Sequence, residues 1–253
     1  MRWMVISKKG IIYCTLIFLF VIGSFAVSAN KIAEVASAPK KLPIYSVGRE
    51  DKKISISFDA AWGNEDTQTL IEILAKYNVK ATFFLVGQWA DKYPESVKAL
   101  FDAGHEIQNH SNTHKHMPKL TREEIIADLA ACSDKIEAIT KVRPILFRPP
   151  YGDYDNKLIE TLENENYYCI QWDVDSLDWK DPEPDKLCQT VLKKVKPGSI
   201  VLFHNAAKNT PAALPQIIEK LLSEGYEFVK ISELIYKDNF TIDHSGKQLQ
   251  TNG

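Results

Sequence analysis

Two imidazoles four residues apart, His110-Ser-Asn-Thr-His114, stand directly after a short run with the pattern of a strand. On a helical turn they would share one face and could hold one divalent metal ion. As loop residues they would cap and hydrogen-bond instead, and the spacing alone leaves both readings open. Four further segments each deliver a polar group from an apolar run. Asp59 ends Ile54-Ser-Ile-Ser-Phe58. Arg148 follows Ile145-Leu-Phe and precedes Pro149-Pro150-Tyr151-Gly152, where the prolines stiffen the chain and the glycine permits close backbone approach, fixing Arg148 and the Tyr151 amide in place. Trp172-Asp173-Val174-Asp175-Ser176-Leu177-Asp178-Trp179 sets three carboxylates between two indoles, and indole faces stack on sugar rings. His204 ends Ile200-Val-Leu-Phe203, either as a core histidine or as a titrating group of a site. His105 and His116 read as structural.

The elements that must position these groups alternate along the chain. Strand patterns fall near 54–58, 81–86, 105–109, 145–148, 168–173, 199–204 and 226–230. Helical patterns fall near 66–77, 89–103, 121–140, 155–165, 185–195 and 211–224, with Thr121-Arg-Glu-Glu124 as a capping box. Such alternation predicts an α/β fold with a parallel sheet. Asp59, His110, Arg148, Asp173 and His204 all stand at the C-terminal ends of different strands. In a closed βα barrel those ends converge on one face, whereas an open doubly wound sheet would ordinarily carry a glycine-rich phosphate loop, which this sequence lacks. A distorted (β/α) barrel with about seven parallel strands is the expectation.

The 253 residues suffice for one large domain. Arg2, Lys8 and Lys9 precede an uncharged apolar run, Ile11–Val27, and Val27-Ser28-Ala29 offers small residues for cleavage. Residues 1–29 are therefore expected to be a signal peptide or an uncleaved N-terminal membrane anchor, with the remainder exported. Without them 28 basic residues face 33 acidic ones, a formal net charge of −5, which argues against nucleic acid as a partner. Residues 30–51 read as a linker, 52–240 as the functional domain and 241–253 as a C-terminal tail. Beyond Cys14 in the apolar run, the odd set Cys132, Cys169 and Cys188 reads as buried small hydrophobes rather than a disulfide framework.

Taken in order across residues 52–236, these segments resemble the five motifs of the polysaccharide deacetylases (carbohydrate esterase family 4, NodB-homology domain), and especially their sporulation-type branch. The resemblance implies metal-assisted hydrolysis of N-acetyl groups on a cell-wall glycan such as peptidoglycan. It implies Asp59 as general base, His110 and His114 as metal ligands and Arg148 as the group that tunes the base. It further implies the Tyr151 amide at the oxyanion, His204 as general acid oriented by Asp178, and Trp179 and Leu202 as walls of the acetyl pocket. The implied cofactor is a divalent metal, Zn²⁺ first, with Co²⁺ or Mn²⁺ as alternatives.

One position departs from the family pattern. The usual first motif has two adjacent aspartates, the second completing a His-His-Asp metal triad, and here that second residue is Ala60. Glu65 and Asp66 are the nearest replacement ligands, Asn64 a weaker one, while Asp66 also suits a helix N-terminus. Three functions follow: a deacetylase, a glycan-binding relative that uses the same groove without turnover, and a glycosidase with Asp173 and Asp178 as paired acids.

Overall fold

The structure, a computed structural model, is described for residues 39–251. The expected signal or anchor segment and Cys14 lie outside the described residues. Among the described residues no helix is long and apolar enough to cross a membrane.

The sheet is built around β2 (Lys53–Ala60). Its alternation sends Ile54, Ile56, Phe58 and Ala60 into one apolar cluster with Leu70, Leu74, Leu214, Ile217 and Ile218, while Ser55, Ser57 and Asp59 take the intervening positions. Phe58 stacks on Phe83 and Phe203, with centroids 4.8 and 5.5 Å apart, which ties β2 to both its neighbours. Those neighbours are β3 (Thr82–Leu85) and β8 (Ile200–His204); β4 (Glu106–Asn109), β5 (Leu146–Phe147) and β6 (Tyr168–Cys169) extend one side and β7 (Val174–Asp175) the other. The order β6-β5-β4-β3-β2-β8-β7 is parallel throughout, so the expectation of a distorted barrel of about seven parallel strands holds. A further strand, β9 (Glu227–Phe228), pairs with the start of β2.

The curl is not closed by a pairing of β6 with β7. Ile44 bridges to Ile170 and Ser46 to Ser199, so the stretch leading into β1 (Ser46–Val47) spans that opening. Gly198, at φ +80°, lies so close that a Cβ there would sit 1.7 Å from the Val47 carbonyl oxygen, which only glycine avoids. β1 pairs in turn with β11 (Lys247–Gln250), which pairs with β10 (Phe240–Ile242). The Gln248 side chain is fully buried and bonds both the amide and the carbonyl of Tyr236. The folded unit thus extends past 52–240 at both ends, into residues expected to be linker and tail. The sequence missed this because β1 is two residues long and its partner lies some 200 residues away, beyond the reach of local periodicity.

The helical patterns fall close to their expected places, with one break. The stretch 89–103 divides into Gly87–Lys92 and Pro94–Asp102, because Pro94 has no N–H to continue the first helix and suits the start of the second. The Thr121 capping box forms, with Glu124 N–H donating to Thr121 Oγ1 (3.2 Å) and Thr121 N–H to Glu124 Oε2 (2.7 Å). Cys132, Cys169 and Cys188 are free and buried.

Candidate active site

Asp59 and His204 are register partners on adjacent parallel strands, so β2 and β8 deliver a carboxylate and an imidazole side by side at their C-terminal ends. Asp59 Oδ1 accepts from Arg148 Nη1 at 2.7 Å, and Asp59 Oδ2 lies 3.6 Å from His110 Nε2. Burial alone would raise the Asp59 pKa, but the charges of Arg148, His110 and His204 and the Arg148 hydrogen bond hold it below the usual carboxylate value. Arg148 is wholly buried. Its Nη2 donates to the Gln171 carbonyl (3.2 Å), and its guanidinium lies 4.1 Å from the Phe84 centroid and 5.6 Å from that of Trp172.

His110 Nδ1 lies 2.8 Å from the Arg148 carbonyl oxygen. A carbonyl only accepts, so Nδ1 carries the proton and, in a ring that burial keeps neutral, Nε2 presents a lone pair. Lone pairs on His110 Nε2 and Asp59 Oδ2 therefore face one another, an arrangement that calls for a donor such as water, or a cation, between them.

His114 reaches the same place by a loop and not by a helical turn. Ser111 and His114 both have positive φ, 71° and 56°, and Ser111 Oγ accepts from the amides of Thr113 and His114. The His114 ring is ringed by aromatics: His110 at 5.0 Å, Tyr151 at 4.6 Å and Trp62 at 5.2 Å between centroids, each edge to face. Burial, with His110 beside it, lowers its pKa to about 4, so it is neutral at pH 7.

Tyr151 adopts φ +62° in the turn Pro150–Gly152, and its backbone N–H has no acceptor among the described residues. Its ring stacks on His116 at 4.3 Å, and His116 Nδ1 pairs with Asp153 Oδ2 at 2.9 Å. His116 is thus structural as expected, but its work is to back the Tyr151 ring.

On the other side, Asp178 is almost fully buried and bonds His204 twice: Oδ1 to Nδ1 at 2.7 Å, and Oδ2 from the backbone N–H at 2.7 Å. Thr210 Oγ1 donates to the same Oδ2 at 2.9 Å. Burial disfavours the imidazolium of His204, yet the hydrogen bond and charge of Asp178 outweigh it and raise the pKa above its usual value. Trp179, Leu202, Trp62, Trp172, Asp175 and Asn205 join Asp59, His110, His114, Tyr151 and His204 around a cavity of about 450 Å³.

Asp173 lies elsewhere. Its oxygens accept from Ser199 Oγ and Ile200 N–H, so it pins the start of β8, and burial raises its pKa. With Asp173 outside the cavity and Asp178 occupied by His204, the paired acids of a glycosidase do not assemble.

Among the described residues no three His, Cys, Asp or Glu side chains come together as ligands. Ala60 sits in the apolar cluster. Asp66, a candidate replacement ligand that also suits a helix N-terminus, uses Oδ2 to accept from Ala206 N–H at 2.9 Å, and it does not line the cavity. Glu65 Oε2 accepts from Asn64 N–H, and Asn64 Nδ2 donates to Ser96 Oγ. None of the three replacements joins His110 and His114, so the chain falls one protein ligand short of a three-ligand catalytic metal site. Asp66 failed as a ligand because, preceding the helix Thr67–Lys76, it is taken up by the neighbouring loop. Trp62 and Asn205 were missed because nothing in the sequence shows that the β2 and β8 loops meet.

Comparison with known proteins places these features in a lineage. The family model described as "Polysaccharide deacetylase" matches residues 46–170. A peptidoglycan-N-acetylglucosamine deacetylase of Bacillus cereus is 33% identical over 196 residues, covering 76% of this chain and 92% of that protein. The peptidoglycan-N-acetylmuramic acid deacetylase PdaC of Bacillus subtilis is 32% identical, covering 79% of this chain and 42% of its own length. Across three of the curated relatives the chain spans 60%, 42% and 45% of their lengths. Among solved structures, a CE4 family pseudoenzyme from Bacillus anthracis matches with a TM-score of 0.74 and 36% identity, over 83% of this chain and 73% of that one. A mutant of that pseudoenzyme with restored enzymatic activity is 40% identical over 77% of this chain and 71% of its own, at the same TM-score.

Proposed function

The chain belongs to the polysaccharide deacetylase family, and from that premise we propose that it removes N-acetyl groups from a cell-wall glycan of the peptidoglycan kind. The observation that carries the reading is the side-by-side pair of Asp59 and His204, each held by its own buried partner in a shared cavity. Asp59 Oδ2, left free by Arg148, accepts a proton from a water that also donates to His110 Nε2, and the water oxygen attacks the acetamide carbonyl carbon. The oxyanion is met by the unpartnered Tyr151 N–H. His204, whose imidazolium Asp178 favours, gives its proton to the departing amine as the C–N bond breaks, yielding acetate and a free amino sugar. Trp179 and Leu202 receive the acetyl methyl. Zn²⁺ at His110 and His114 would find no third ligand among the described residues and, where bound, would polarise the acetamide carbonyl and the attacking water.

A second reading, a glycan-binding relative without turnover, is favoured by Ala60 at the usual ligand position and by the likeness to a pseudoenzyme. On either reading the apolar segment 11–27 carries the chain out of the cytoplasm to the wall. Incubation with purified peptidoglycan, followed by mass spectrometry of its muropeptides, separates the alternatives. Loss of acetyl groups supports the deacetylase, unchanged muropeptides with retained wall binding support the second reading, and shortened glycan strands would contradict both.

A further inference from the structure

The loop between β2 and its following helix is held more firmly than its surface position requires. Asn205 Nδ2 donates to the carbonyls of Trp62 (2.5 Å) and Gly63 (2.8 Å), and Asn205 Oδ1 accepts from Ala61 N–H (3.3 Å). Trp89 Nε1 donates to the Gly63 carbonyl at 2.5 Å, Asn64 Nδ2 to Ser96 Oγ, and Ala206 N–H to Asp66 Oδ2. Gly63 turns at φ +56°, where a side chain would be strained.

This scaffolding leaves most of the apolar side chain it carries uncovered. Trp62 is 65% exposed, its ring meets that of His114 in a T-shaped contact at 5.2 Å, and its indole N–H has no hydrogen-bond partner among the described residues. A large ring carried on a fixed backbone yet left mostly in water gives up much of the gain of burial, which a ligand covering it would restore, and with two side-chain torsions it loses little entropy on being covered. It lines the same cavity as Asp59 and His204. β2 and β7 flank β8, so the Trp62 loop and the Trp179 turn rise from strands two spacings apart, roughly 10 Å. Among the described residues no lysine or arginine lines the cavity, which suits a neutral, N-acetylated sugar chain. Asp175 Oδ1 accepts from Leu177 N–H, leaving Oδ2 for a sugar hydroxyl.

We propose that Trp62 is a stacking platform for the sugar adjoining the one whose acetyl group enters the Trp179–Leu202 pocket, making the site selective for chains over single sugars. The inference rests on the N-acetyl glycan reading. The platform is a specificity residue; it moves no proton.

The test is calorimetric titration of the full chain with N-acetylglucosamine, its tetramer, and the glucosamine tetramer, for wild type, Trp62→Ala and Trp62→Phe. Wild type is expected to bind the acetylated tetramer more tightly than the monosaccharide. Trp62→Ala should weaken the tetramer by about tenfold and leave the monosaccharide unchanged, with Trp62→Phe recovering most of the loss. Equal tetramer binding by wild type and Trp62→Ala overturns the platform. Equal binding of acetylated and free-amine tetramers by wild type, with loss in Trp62→Ala, keeps the platform and removes the N-acetyl reading. No binding of any oligomer by wild type removes both.

Discussion

Asp59 and His204 stand side by side, yet they are held in opposite ways. Asp59 is pinned by a guanidinium with no solvent exposure, stacked on Phe84 inside the barrel. His204 keeps 27% of its side chain exposed, and it is the partner carboxylate, Asp178, that is buried and saturated by His204 and Thr210. On the first side a buried charge is part of the fold, so its loss leaves an unpaired ion in the core. On the second the charge pair is local to the β8 end, and its loss changes a proton affinity more than a structure. The two sides therefore separate stability from chemistry.

Arg148→Ala should have the largest effect: about 3–5 kcal/mol of stability is lost with the partner left buried, read as a lowered urea midpoint, and acetate release disappears with it. Asp59→Asn keeps an acceptor for Arg148 and removes the base, so deacetylation should fall by about 10²–10⁴-fold while the protein still unfolds cooperatively. His204→Ala should cost about 10²-fold or more in rate and lower stability by less than Arg148→Ala does, since the residue 204 N–H and Thr210 Oγ1 still donate to the buried Asp178.

Asp178→Asn sharpens the comparison through pH. The raised His204 pKa keeps the general acid protonated above its ordinary value, and activity is lost as pH rises through that pKa. Removing the carboxylate should move the alkaline limb of kcat/KM to lower pH. The acid limb, set by the lowered Asp59 pKa, should stay below the ordinary carboxylate range. The smallest effect concerns metal. With two imidazoles and no third ligand among the described residues, Zn²⁺ should be retained at well under one ion per chain after gel filtration, and His110→Ala should abolish what remains, both read by elemental analysis.

Much of this site was legible because each of these groups ends a run with a strand pattern, and parallel strands bring such ends to one face. Asp59, His110, Arg148 and His204 could be named from strand patterns alone, and the register of β2 with β8 then sets Asp59 against His204. What escaped depends on loops and distant pairings. The two histidines share a site through positive φ at Ser111 and His114, where a helical turn was the stated route. Asp66 looked available by nearness in sequence, but Ala206, 140 residues on, holds it. Asp173 looked like a strand-end site residue and instead fastens the start of β8. β1 with β11 came from segments whose short, mixed sequences carry no period.

The most direct test of the account is acetate released from N-acetylglucosamine tetramer across a pH series, for wild type and Asp59→Asn. The account predicts a bell-shaped profile for wild type and at most a trace of acetate for the variant at every pH. A wild-type protein that binds the tetramer and releases no acetate at any pH, with or without added Zn²⁺, would contradict it and leave a glycan-binding protein.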